Sequence, residues 1–163
     1  MPRLREVPLP TGATLALHRL PIVLYRVHLG WLLGARFLLL EHRGRKCGRT
    51  HRTVLEVIRH DAATGLWVVV SGWGDRTQWL ANLRATPHAE IRSGSRRVAV
   101  EARVLPDAEA AREIADYGRR HPRALRTVAR ALGWEIDGSE RDLDELARAV
   151  RVVALSMRDA GQP

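Results

Sequence analysis

The residues best suited to bind an anion lie in one short segment, from Arg43 to Arg52. Two glycines, Gly44 and Gly48, separate its cations, which are Arg43, Arg45, Lys46, Arg49 and Arg52. Glycine lets backbone amides approach an anion closely, arginine offers two parallel donors, and lysine adds a point charge. The segment therefore predicts a phosphate-type site. An exposed turn in an arginine-rich chain would have the same composition, so these residues alone favour neither interpretation.

The composition of the whole chain supports an anionic partner. The 163 residues include 27 Lys and Arg against 18 Asp and Glu, which gives a net charge of +9. Nucleic acid, an anionic membrane and a phosphorylated cofactor would each fit that charge. The single cysteine, Cys47, excludes an internal disulfide and the usual thiolate zinc cages, and it indicates a reducing, cytoplasmic compartment. Walker, nucleophile-elbow and HExxH motifs are absent from the sequence, so no metal site is expected.

The first 36 residues are predicted to form a helical segment that packs on the following domain. The apolar stretch from Leu20 to Leu40 is interrupted by Arg26, His28 and Arg36, which argues against a membrane-spanning helix. Its apolar face could dock on the rest of the chain, on a second subunit or on a membrane surface. A homodimer and a peripheral membrane contact are therefore both open expectations.

Residues 37–163 predict one α+β domain, in which short strands form hairpins with helices inserted between them. The expected strands are Phe37–Leu40, Thr53–Ile58, Leu66–Val70, His88–Arg92, Arg96–Leu105 and Arg151–Met157. A turn is expected over Arg59–Gly65, and Asp75 is expected to cap a helix from Arg76 to Ala85. Further helices are expected between Pro106 and Leu132, and the acidic run Asp137–Glu145 is expected to cap a last short helix. This pattern fits a small barrel of six or so mostly antiparallel strands better than a parallel sheet.

Four segments of the chain resemble a known family in their order and spacing. They are FLLLEHRGRKCGRTHRT at 37–53, VLEV at 54–57, VVVSGWG at 68–74 and QWLANLRATPHAEI at 78–91. They are similar to the deazaflavin-dependent nitroreductase-like proteins of actinobacteria, and YRVHLGWLLG from Tyr25 resembles one branch of that family. The resemblance implies a split β-barrel of the flavin-reductase type that binds the 8-hydroxy-5-deazaflavin F420. It also implies an oxidoreductase that transfers a hydride between reduced deazaflavin and a small, apolar or conjugated organic substrate.

The resemblance also assigns roles to individual residues. Those that would contact the cofactor's phosphate and glutamyl tail are Arg45, Lys46, Cys47 and Arg52. Those that would lie along the deazaflavin ring are Val54, Leu55, Glu56, Val57, Ser71, Gly72, Trp73 and Gly74. Trp79 and Asn82 would hold the inserted helix beside the ring. Cys47 stands where the family usually has serine or threonine, and a thiol is a weaker hydrogen-bond donor.

Hydride transfer requires no protein nucleophile, because the cofactor supplies the electronics. A proton donor could still be needed, and the candidates by residue type are Tyr25, Ser71, Tyr117 and His121. The nitroreductase branch has several tyrosines near its C-terminal end, whereas this chain has only Tyr117 there. Two other functions stay open: an FMN-binding split-barrel protein, and a basic non-catalytic module for nucleic acid or anionic membrane. Nucleic acid is the less favoured partner.

Overall fold

A computed structural model describes residues 36–158. Their six strands close into an antiparallel barrel in the order β1-β2-β3-β6-β5-β4. The strands are β1 (Phe37–Arg43), β2 (Thr50–Asp61), β3 (Leu66–Ser71), β4 (His88–Ser93), β5 (Arg96–Val104) and β6 (Arg151–Met157). This architecture confirms the expected barrel. The predicted N-terminal helix lies outside the described residues, and the division at residue 36 stays a prediction.

Helices occupy two of the connections between these strands. Within residues 36–158 they are α1 (Gln78–Ala85), α2 (Asp107–Arg120), α3 (Pro122–Ala131) and α4 (Glu140–Ala149), and a 3₁₀ turn (Gly74–Arg76) precedes α1. The buried face of α2 presents Ala110, Ile114 and Tyr117 at helical spacing. No helix in this part of the chain is both long and apolar enough to cross a membrane.

The barrel wall separates two hydrophobic cores, because successive side chains of a strand point to opposite faces. The inner core contains Leu38, Leu40, Leu55, Val57, Val69, Ile91, Val100 and Leu155, and Trp79, Leu80 and Leu83 of α1 join it. The outer core lies where α2, α3 and α4 cover β2, β3 and β6. Strand β2 therefore has one face in the barrel and one face toward α2.

The turn predicted at Arg59–Gly65 is shorter than expected, since β2 continues to Asp61. Arg59 forms a paired ion contact with Glu113 of α2, with 2.7 Å between Nη2 and Oε1. The ring of His60 stacks on Trp67 of β3, with 4.6 Å between centroids. These two long-range contacts keep the end of β2 extended, and turn-type composition did not reveal them.

The predicted cap of α1 is wrong. The helix begins at Gln78 rather than Arg76, and Thr77 precedes it without a side-chain cap. The Asp75 carboxylate instead forms ion pairs with Arg84 and Arg151. Those pairs tie the 3₁₀ turn to α1 and to β6.

Candidate functional site

The predicted anion-binding segment contains the loop between β1 and β2, residues 44–49. Its backbone is closed on itself: Gly44 N donates to Arg49 O and Gly48 N donates to Gly44 O, both at 2.8 Å. Gly48 has a φ of +63°, a left-handed conformation that favours glycine. Lys46 and Arg49 are exposed and form no ion pair with any residue between 36 and 158. The loop therefore presents two cations, Lys46 and Arg49, whose side chains have no partner among residues 36–158.

Arg45 is held by helix α1. Its backbone N–H donates to Asn82 Oδ1 at 3.1 Å, and its Nη1 donates to the same oxygen at 3.0 Å. Nη1 also lies 3.0 Å from Gln78 Oε1. Arg45 and Asn82, both predicted site residues, are thus brought together, but the Arg45 guanidinium is already engaged within the protein.

His42 lies beneath this loop at the end of β1, and sequence analysis did not single it out. It is only 5% exposed, and its Nδ1 lies 3.2 Å from Asn82 Nδ2. Burial, and after it the neighbouring His51, lowers the pKa of His42 to about 4. The signal that could have found it is the alternation of β1, which places His42 on the same face as the core residues Leu38 and Leu40.

Cys47 lies at the surface of the loop. Its Sγ is 3.5 Å from Nε2 of His51, whose ring in turn stacks on His42 at 5.9 Å between centroids. The thiol therefore has a partner within the protein, and its predicted contact with the cofactor tail stays a prediction.

The outer face of β2 leads away from the loop through Arg52, Val54 and Glu56. Val54 is half-buried, whereas the Leu55 and Val57 side chains are buried in the barrel interior. Leu55 and Val57 can therefore offer a ligand only their backbone. Of the four strand residues predicted to lie along the ring, only Val54 and Glu56 have side chains on the outer face.

Glu56 is the centre of a polar cluster at the far end of this face. Tyr117 Oη donates to Glu56 Oε1 at 3.0 Å, and Arg36 donates to the same oxygen from Nε at 3.1 Å and from Nη2 at 3.0 Å. Burial, and after it the charge of Glu56, raises the pKa of Tyr117. The exposed His121 ring lies 5.3 Å from that of Tyr117. Two of the four proton-donor candidates are thus neighbours, while Tyr25 lies outside the described residues.

The turn from Ser71 to Gly74 is constrained by packing. The Ser71 side chain is 1% exposed, and its hydroxyl donates to Gly74 O and pairs with Thr77 Oγ1, both at 2.8 Å. A β-carbon at Gly72 would lie 2.7 Å from Leu132 Cδ2. These contacts give Ser71 a structural role and do not favour it as a proton donor. Trp73 is half-buried, and Trp79 belongs to the inner core.

The closed antiparallel barrel is a fold that this chain shares with several solved structures. A pyridoxamine 5'-phosphate oxidase-related, FMN-binding protein from Nostoc punctiforme has this fold with a TM-score of 0.53 and 16% identity, over 85% of this chain and 80% of that one. A conserved hypothetical protein from Mycobacterium tuberculosis matches with a TM-score of 0.52 and 16% identity, over 83% and 80%. A structure described as a domain-swapped dimer matches at 0.51 and 15% identity, over 83% and 99%.

The family of this chain is given by sequence. The model of the F420H2-dependent quinone reductase family matches residues 25–128. The chain belongs to this family, so it is an F420-dependent reductase and its cofactor is F420. No curated protein matches the chain.

The donor set of the loop fits this cofactor. F420 carries a phosphodiester and a glutamyl tail, both anionic, and uncompensated cations on a closed backbone turn are the groups that such a ligand needs. Lys46 and Arg49 meet that requirement in full. Arg52 meets it in part, because it already has an ion pair with Glu41.

Proposed function

We propose that this reductase transfers a hydride from reduced deazaflavin to a small, apolar or conjugated organic substrate, with quinones as the first class to test. The family is described by its use of quinones, and a quinone is a conjugated, mostly apolar acceptor. The observation that carries the proposal is the pair of exposed cations, Lys46 and Arg49, at one end of the outer face of β2. That face ends at a tyrosine hydroxyl that can hold a proton.

The tail of the cofactor would be bound by Lys46 and Arg49, with a smaller contribution from Arg52. From Arg52 to Glu56 the strand spans about 13 Å at roughly 3.3 Å per residue, which suits an extended ligand. Val54 would supply an apolar contact for the ring along that span. When bound, F420 supplies the hydride chemistry, and the protein supplies binding and orientation.

The proton that accompanies reduction would come from the cluster around Glu56. A quinone that accepts a hydride needs one proton on its second oxygen to become a neutral hydroquinone. An ordinary tyrosine already holds its proton at neutral pH, and the raised pKa of Tyr117 extends that range; its hydroxyl directs the proton at Glu56 Oε1. His121 is exposed beside it and can exchange protons with water. We assign Tyr117 as the proton donor and His121 as its link to solvent.

We further propose that the chain forms a homodimer. Helices α2, α3 and α4 cover only the β2, β3 and β6 side of the barrel, and the outward residues Ala99, Glu101 and Arg103 of β5 stay exposed. Size-exclusion chromatography with light scattering tests this proposal, and a monomer mass at micromolar concentration would contradict it. Flotation with anionic liposomes at low salt tests the membrane contact expected of the N-terminal segment.

A fluorescence titration with F420 and with FMN tests the cofactor site. F420 should bind more tightly, because the loop has more cations than a lone phosphate needs. Lys46→Ala and Arg49→Ala should each weaken F420 binding about ten-fold, since a charge-assisted contact contributes roughly 1.5 to 3 kcal/mol. Arg119→Ala is the matched control, because Arg119 is 71% exposed and its one ion pair among residues 36–158 is with Asp116 on its own helix. Arg97 is unsuitable as a control, since its Nη2 lies 3.9 Å from the Glu41 carboxylate that binds Arg52.

The outcomes separate the alternatives. Tight FMN binding with no F420 binding would favour the FMN-dependent split-barrel function. Equal, modest losses of affinity for nucleic acid in all three variants, with steep salt dependence, would favour the basic module. Oxidation of reduced F420 by a simple quinone such as menadione, followed by visible absorbance, tests the substrate class.

A further inference from the structure

We propose that His42 is a positioning residue, which fixes the Asn82 amide so that Asn82 holds Arg45 and the basic loop in the form that binds the F420 tail. The proposal rests on the tail site proposed above. It extends that site to a residue that neither the loop motif nor the anion-binding chemistry indicates.

Hydrogen-bond chemistry determines which way the Asn82 amide points. The two groups of Arg45 that contact it, the backbone N–H and Nη1, can only donate. Both therefore require the Asn82 oxygen, and the Asn82 NH₂ group must face His42. Since that NH₂ group can only donate, His42 Nδ1 accepts at 3.2 Å, and the neutral ring carries its proton on Nε2.

Burial makes the contacts of Asn82 with Arg45 and His42 hard to replace by water. His42 and Asn82 are each 5% exposed, so water does not readily replace either partner. A buried amide without an acceptor is costly, and rotating the amide to relieve the cost would turn two N–H groups toward the donors of Arg45. The lowered pKa of His42 keeps the ring neutral at physiological pH, as an accepting Nδ1 requires.

The consequence for function follows from pre-organisation. The Arg45 amide lies next to Lys46, so a hydrogen bond at Arg45 N fixes the backbone that carries the first uncompensated cation. A loop that is ordered before the ligand arrives loses less conformational entropy on binding. His42 would thus raise the affinity for the F420 tail without touching the cofactor.

The test compares two substitutions of the same residue. His42→Leu removes the acceptor, whereas His42→Asn can place Oδ1 where Nδ1 lies and restore it. Both lose the ring stack with His51, so packing changes are shared. In cofactor-free protein, amide hydrogen exchange at Arg45 should accelerate at least ten-fold in His42→Leu and stay within about three-fold in His42→Asn. Exchange at Val69 of β3, in the inner core, is the control for global unfolding.

The F420 dissociation constant should follow the same order, rising about ten-fold in His42→Leu and changing little in His42→Asn. Should His42→Leu not fold, Asn82→Leu and Asn82→Asp give the same comparison from α1. Asp retains an acceptor toward Arg45, and its second oxygen can accept from His42 once the ring carries its proton on Nδ1, so Asp should keep the affinity. If Asn82 instead contacted the anionic cofactor directly, Asp would weaken binding at least as much as Leu.

Lys46→Ala separates the two proposals. If Lys46→Ala leaves F420 binding unchanged, the tail site is wrong. The Arg45 exchange rates then still decide whether His42 and Asn82 fix the Arg45 backbone. If Lys46→Ala weakens binding but His42→Leu alters neither exchange nor affinity, the positioning role is overturned and the tail site stands.

Discussion

Arg52 donates from Nε to Glu41 Oε1 at 3.0 Å, across the pairing of β1 with β2. Two further guanidinium groups, those of Arg92 and Arg97, lie 3.4 and 3.9 Å from the same oxygen. The Glu41 side chain is only 12% exposed, so water weakens these ion pairs less than it would at the surface. Arg52, which the sequence predicts to bind the cofactor tail, is therefore already paired with a carboxylate of the protein itself.

Glu41→Gln should raise the affinity for F420 by up to about five-fold, because it frees Arg52 from a partly exposed ion pair, a contact of roughly 0.2 to 1 kcal/mol. The F420 titration measures it. Glu140→Gln, at an exposed position of α4, removes the same charge outside the loop and should have no effect. Equal gains in both variants would show that only net charge matters, and would contradict the assignment of Arg52 to the tail site.

Gly72→Ala should lower the free energy of unfolding by about 1 to 3 kcal/mol, the usual cost of overpacking. The reason is that the added β-carbon would lie 2.7 Å from Leu132 Cδ2. Leu132→Ala in the same chain should recover part of the loss, and chemical denaturation of the double-mutant cycle measures the coupling. Strictly additive effects would mean that the turn does not depend on this contact.

Ser71→Ala should reduce stability by about 1 kcal/mol, since it removes both hydrogen bonds of the Ser71 hydroxyl and leaves Gly74 O and the Thr77 hydroxyl only their long mutual contact of 3.4 Å. Turnover of the folded protein should be unchanged, because the hydroxyl has no access to a substrate. Thermal denaturation and steady-state kinetics measure the two effects. A large loss of turnover with intact stability would restore Ser71 as a proton donor.

The barrel was predictable from sequence because its signals are local. The alternation of Val98, Val100 and Ala102 in β5 and the helical spacing of Ala110, Ile114 and Tyr117 in α2 each depend on a few neighbouring residues. The basic loop was found in the same way, from cations and glycines that are adjacent in the chain.

The rest of the site depends on contacts between distant residues, which periodicity does not encode. Asn82 meets His42 across 40 positions, and Tyr117 meets Glu56 across 61. The hydrogen bonds of Arg45 to Asn82 and Gln78 and the ion pair of Arg52 with Glu41 were hidden for the same reason, so the sequence overestimated how many loop cations are free. Residue type marked Tyr117 and His121 as candidates, but only the folded chain brings them to Glu56.

Below neutral pH, His42 should make stability depend on pH. Its pKa is 6.5 in an unfolded chain and about 4 in the folded one, so between these values the unfolded state binds a proton that the folded state does not. The free energy of unfolding should therefore be constant, as far as His42 is concerned, above pH 6.5 and fall by about 3 kcal/mol as the pH decreases to about 4. Denaturation midpoints at several pH values measure it. His42→Asn should lose this component, and an unchanged slope would contradict burial of a neutral ring.

Tyr117→Phe provides the sharpest test of the proposed chemistry. Removing the hydroxyl takes away both the proton held at Oη and its hydrogen bond to Glu56. Turnover with a quinone should fall by about 10²-fold or more, the usual contribution of a positioned acid, while the F420 dissociation constant stays within about two-fold. Stability should fall by only about 1 kcal/mol, because Arg36 still pairs with Glu56. Since burial and Glu56 raise the pKa of Tyr117, the wild-type rate should show no loss from tyrosine ionisation up to pH 9. Stopped-flow reduction under single-turnover conditions separates the chemical step from product release.

His121→Ala is the companion variant. It should slow turnover less than Tyr117→Phe and respond to added imidazole buffer, because His121 only links the donor to water. If Tyr117→Phe turns over at the wild-type rate, the proton comes from elsewhere, and the Glu56 cluster is a structural brace between α2 and β2.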